Sequence, residues 1–175
     1  MNRRTTLKWL HWGSLFLMLY FFFVEPEDVE RLGAAALATH AGVGFILAVV
    51  VVLWFAMFVT KGLASRAGPK LPAWAKKAHP MMHKSMYWLV LAMVASGGLI
   101  GLFAPYSILA FGAFPIAPNF DVKFLHELAE DVHDVIFNLC IAAVVFHAAF
   151  HVWRHYLLKD NALRIMAPKA LHKYL

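Results

Sequence analysis

Four long apolar stretches, residues 7–24, 37–59, 85–104 and 135–153, are separated by shorter segments that hold nearly all the charge. None alternates polar and apolar residues with the period of two that marks a half-buried strand. Each is close to the ~20 residues of helix that cross a bilayer, and in lipid only a helix or a closed barrel satisfies its own backbone. The pattern predicts an all-α chain, an integral membrane four-helix bundle forming a single domain over 1–175. The fourth helix is expected to start before its apolar part. Asp121 is placed to cap it, and 123–134 keeps a helical pattern with acids at Glu127, Glu130, Asp131 and Asp134. This long helix is expected to project from the membrane by several turns. Segment 105–118 is apolar but broken by Pro105, Pro115 and Pro118. It reads as an outer-face loop at headgroup level or a lid over the bundle end. Segment 62–80, rich in Pro and Lys, reads as a solvated connection.

Composition sharpens this picture. Hydrophobic residues make up 62% of the chain and charged ones 15%, with a mean hydropathy of +0.65, against about 25% charged in a soluble domain. A disordered tail is excluded and a water-soluble globule disfavoured. The single cysteine, Cys140, rules out an intrachain disulfide. The net charge of +6 is unevenly spread: 14 of the 16 Lys and Arg fall on one side of the predicted bundle, which sums to +13, and the other side sums to −7. By the positive-inside rule both termini are cytoplasmic. The basic excess is thus a topology signal, and no nucleic-acid site is needed to explain it. The start, with Arg3-Arg4 before an apolar run, looks a little like a twin-arginine export signal. Because that run is Phe-rich, carries His11 and two tryptophans, and precedes three further crossings, helix one is read as retained.

Ten histidines in so apolar a chain need a reason, because polar groups in a membrane are costly. His133 and His147 lie 14 residues apart. On one helix that is ~3.9 turns, so both project from nearly the same face, ~21 Å apart along the axis. His11 starts helix one level with His147, and His40 starts helix two level with His133. Topology therefore pairs His11 with His147 and His40 with His133. Two facing pairs suit bis-histidine ligation of two haems, one above the other. Gly13, Gly42 and Gly44 follow the ligands, and without a side chain they let a flat macrocycle approach the helix. The alternative is core histidines bonding to carbonyls, with glycines that serve helix packing. His126, seven residues before His133, is the other candidate for the outer ligand. The depth of His151 and Arg154 suits haem propionates or plain interfacial exposure. His83 is placed to touch the inner haem or a quinone, or to pack. His79 and His172 read as surface residues, the methionines and Cys140 as packing. Trp9, Trp12, Trp54, Trp88, Trp153 and Tyr156 read mostly as an aromatic belt.

These residues resemble the bacterial cytochrome b561 family, four-helix di-haem b membrane proteins related to the cytochrome b subunits of nickel–iron hydrogenase and formate dehydrogenase. The resemblance rests on His11-Trp12, His40 with Gly44, His83 with Tyr87, His133 with His147, and the tail running from Lys159 to Met166. It covers nearly the whole chain and implies the same ligand pairs. Trp54 stands where the family pattern carries an arginine.

No nucleotide fingerprint, Walker loop or hydrolytic triad is visible, so the chemistry expected is transmembrane electron transfer. The resemblance implies location in the bacterial inner membrane, two haem b groups, and a quinone as one partner. For stand-alone members of this size it implies superoxide oxidation outside, coupled to ubiquinone reduction. The alternative is a membrane anchor passing electrons between the quinone pool and a periplasmic redox protein. The acidic outer side opposes steering of an anion such as superoxide and suits a basic protein partner. A haem-free transporter or assembly subunit is the non-redox alternative, with a colourless preparation as its mark.

Overall fold

The computed structural model describes residues 3–24 and 31–175 and is mostly helical. Four long helices follow one another as α1 (Arg3–Phe23), α2 (Ala34–Lys61), α3 (Ala73–Phe103) and α4 (Lys123–Tyr156). Among the described residues, α2, α3 and α4 are each long and apolar enough to cross a membrane. α1 is not one of these, because Lys8, His11 and Ser14 dilute its apolar run. The acids Glu25, Glu27, Asp28 and Glu30, expected in the first outer connection, lie outside the described residues.

α1 packs on α2, α2 on α3, and α3 most extensively on α4. A mid-bundle layer joins all four through Phe21, Leu47, Val51, Met93 and Cys140. The expectation for Cys140 holds: it is buried and unpaired in that layer. Outward rows of exposed apolar side chains, among them Phe45, Val52, Leu139 and Val145, are the surface that a helix presents to lipid.

Two boundaries differ from the expectation. α3 starts twelve residues before its apolar run, at Ala73, so 73–80 is helix and not a solvated connection. Ala, Lys and Trp carry the chain into helix from Pro72, and Pro80 forgoes only one backbone bond. Leu71 and Ala75 are buried with Met82 and Phe150 in a second cluster, which fixes this extension against α4. At the start of α4, Val122 and not Asp121 is the cap, and no side chain caps the helix. Asp121 instead takes a left-handed conformation, with φ 53°. The acids Glu127, Glu130, Asp131 and Asp134 are exposed on α4, while the chain entering it is tied to the end of α3 by bonds from Phe120 N–H to the Leu102 carbonyl (2.9 Å) and from Val122 N–H to that of Phe103 (3.2 Å).

Residues 105–118 form a small antiparallel hairpin, β1 (Leu109–Ala110) and β2 (Phe114–Pro115). It lies on α2, where Phe111 N–H donates to the Ala38 carbonyl at 2.8 Å. The Phe111 ring covers Gly42 so closely that a Cβ there would lie 2.6 Å from it. Gly42 therefore receives a protein ring, not the macrocycle that the sequence suggested. Gly42→Ala is expected to push the ring aside at a cost of about 1 kcal/mol, because Phe111 is half exposed and can swing. Faster hydrogen exchange at the Phe111 amide, with the rest of the bundle unchanged, checks this.

The C-terminal residues form α5 (Ala162–Met166) and a 3-10 turn over Lys169–Tyr174. They fold back on α1, where Lys8 Nζ donates to the Ala167 carbonyl and Trp12 Nε1 to that of Met166, both at 3.0 Å.

Candidate functional site

α4 carries His133 and His147 on one unbroken helix, so their separation is set by its rise, ~21 Å for 14 residues. Each end of α4 meets a different neighbour.

At the end near the termini, the His147 ring faces that of His11 with 6.4 Å between centroids. Two other imidazoles crowd His147 more closely, His83 at 5.0 Å and His151 at 4.6 Å. Two imidazoles binding one metal from opposite sides through a nitrogen each, at about 2 Å per bond, hold their ring centres about 6 Å apart. Of the three neighbours, only His11 stands at that separation. His147 Nδ1 is buried without a partner in the chain. Trp54 packs its edge on His11 (5.9 Å) and on Tyr87 (5.6 Å), and Tyr87 stacks on Phe58 at 4.4 Å. Trp54 thus turns inward as a wall of this site, a correction to its reading as a belt residue. Trp12 is likewise held inside by its bond to the tail, whereas Trp9 and Trp88 are exposed as a belt requires.

At the other end stand His40 on α2 and His133 on α4. His133 Nδ1 is 2.9 Å from Ser96 Oγ, whose own hydrogen goes to the Met93 carbonyl at 2.9 Å. The hydroxyl has one hydrogen, so His133 Nδ1–H must donate to it. That fixes the tautomer and leaves Nε2 with its lone pair, the orientation that metal-bound histidines usually receive from a second group. Gly97 lies against the ring; a Cβ there would stand 3.2 Å from His133 Cε1. His40 Nδ1 is buried and unpartnered, and Phe21 packs on the ring at 4.8 Å. Gly44, one turn on, has only the Phe21 ring tip near it, at 3.9 Å. His126 does not compete for the outer position: Nδ1–H donates to the Ile100 carbonyl at 3.1 Å, and Nε2 faces Glu130 at 3.3 Å.

Two residues behave otherwise than the sequence suggested. His79 is fully buried, not on the surface, because the helical extension of α3 turns it toward α4. Arg154 is buried and commits Nε and Nη2 to Asp160 at 2.8 and 2.7 Å, with Nη1 unpartnered. Asp160 Oδ1 in turn accepts the Ala162 N–H at 3.0 Å, which explains the Lys159-Asp160-Asn161 tail in physical terms. Ser96 was missed altogether. Its only signal was a hydroxyl next to Gly97-Gly98 in an apolar run.

The family model for prokaryotic cytochrome b561 matches residues 2–169. The chain belongs to that family. It is 29% identical over 180 residues to cytochrome b561 homolog 1 of Escherichia coli (strain K12), an alignment covering 97% of this chain and 99% of that protein. Membership of the cytochrome b561 family implies haem b and electron transfer in a membrane, and His40 and His147 offer buried imidazoles. They fit the demand of haem iron for neutral nitrogen ligands in an apolar setting.

Proposed function

We propose that this cytochrome b561 carries electrons across the bacterial inner membrane through two b haems, the inner held by His11 and His147 and the outer by His40 and His133. The observation that carries the reading is the 6.4 Å facing of His11 and His147 at one end of α4, with His133, its tautomer fixed by Ser96, at the other. Gly44 leaves room beside His40 for a flat ring. The haems supply one-electron chemistry. What the chain would supply is imidazole nitrogen to hold them, a dry layer around Cys140 between the two sites, and the Trp54–Tyr87–Phe58 wall beside the inner one.

In this reading residues 1–175 form one four-helix cytochrome b domain. All four long helices cross, and the basic ends place both termini in the cytoplasm. A quinone takes part at one face. The substrate pair proposed is superoxide outside and ubiquinone as acceptor. A second reading, a membrane anchor for a periplasmic redox protein, is favoured by the exposed Glu127, Glu130, Asp131 and Asp134 beside exposed Phe124, Leu128 and Val132. That surface repels an anion and suits a basic partner.

A reduced-minus-oxidised spectrum with haem quantified per chain is expected to give two b haems. A colourless preparation sinks the redox reading. Superoxide-driven quinone reduction by the isolated chain supports the oxidoreductase; no such activity, with a soluble protein copurifying in mild detergent, supports the anchor.

A further inference from the structure

We infer that His79, His83 and His151 form a binding site for a divalent transition-metal ion of the zinc type, separate from the haem ligands. His79 and His83 are one turn apart on α3, and His151 reaches them from α4. One ligand nitrogen from each lies within 4.8 Å of the other two. The rings are 4.3 Å (His79–His83), 5.4 Å (His83–His151) and 5.9 Å (His79–His151) apart. An i, i+4 histidine pair completed by a third from another helix is a recurrent zinc arrangement.

The hydrogen bonds around the cluster point the same way. His83 Nδ1–H donates to the His79 carbonyl at 2.8 Å, so His83 Nε2 keeps its lone pair. His79 Nε2 faces Ser65 Oγ at 3.3 Å. With its proton on that nitrogen, Nδ1 is the free ligand atom, and Nδ1 is buried with no partner. His151 Nε2 is also buried without a partner. Three nitrogens, two of them buried and unpartnered, with two rings oriented by groups behind them, match what a metal requires. Three neutral imidazoles select Zn²⁺, Cu²⁺, Ni²⁺ or Co²⁺ over Mg²⁺ or Ca²⁺. The neighbouring Arg154 charge is offset by Asp160 at 2.7 Å.

The test uses haem-loaded protein without a polyhistidine tag, stripped with a chelator and titrated with zinc sulfate by calorimetry in detergent. One Zn²⁺ per chain is expected, with haem content unchanged. His79→Ala and His151→Ala are expected to weaken binding by about 100-fold or more, and His172→Gln, at the same end, to leave it intact. X-ray absorption at the zinc edge of the wild type is expected to show three imidazole nitrogens at about 2.0 Å; this needs no variant to fold. Absence of saturable zinc binding overturns the site, as does equal binding by the alanine variants or an edge spectrum lacking three imidazoles. So does a wild type that binds no zinc while His151→Ala loses haem, because the cluster then belongs to the haem pocket. Haem is measured separately as its pyridine complex, so failure of the zinc site and failure of the di-haem reading are distinguishable.

Discussion

Replacing His147 by alanine is expected to leave one haem per chain in place of two and to stop electron transfer between the faces. The purified variant should show about half the wild-type Soret absorbance per chain. The physical reason lies in the geometry around this ring. His83 and His151 are closer to His147 than His11 is, but they crowd it at 5.0 and 4.6 Å, whereas His11 stands across a gap of 6.4 Å between centroids. In the proposed two-haem arrangement, the change takes away the ligand on the α4 side and leaves His11 alone. His11→Ala is expected to remove the same haem, and His133→Ala to remove the other. A His147→Ala protein that still holds two haems with unchanged spectra contradicts the inner pair and hands the ligand role to one of the crowding histidines. His126→Ala is the control, because its ring is already spent on Ile100 and Glu130.

The largest loss of stability is expected from Asp160→Ala. Arg154 and Asp160 are both almost wholly buried, with side-chain exposures of 2% and 4%. Removing the carboxylate strands a guanidinium that cannot lose its proton. Breaking a buried pair from one side costs about 3–5 kcal/mol. Asp160 also holds the first N–H of α5, and the Gly68 backbone lies over the pair. The loss therefore spreads to the tail and to the 62–72 connection, which Lys70 ties to the Lys159 carbonyl at 2.7 Å. Thermal unfolding in detergent should show a much lower midpoint. The double change Arg154→Met with Asp160→Leu should recover most of it, because neither buried charge then remains. If the single variant matches wild type, the pair is wet in solution and contributes little.

Much of this protein was legible in one dimension, for identifiable reasons. The lengths of the apolar runs on α2, α3 and α4 follow from the thickness of the hydrocarbon layer, and the 14-residue spacing of His133 and His147 follows from the helical repeat. Where hydropathy changes along one helix the signal fails. The polar start of α3, Ala73 to Pro80, reads as a loop because its stabilising partners, Phe150 and Trp153, lie on another helix. His79 is hidden for the same reason, since Lys76 and Lys77 beside it look solvated.

The sequence by itself determined the membrane class, the four helical segments and the histidines placed at two depths, because each depends on spacing along one chain. Only the tertiary structure decided how closely His83 and His151 crowd His147, that Ser96 stands against His133 Nδ1, that Trp54 faces inward, and that Arg154 belongs to Asp160. Most of those contacts join residues far apart in the chain, and their distances depend on how the helices pack. No periodicity records that.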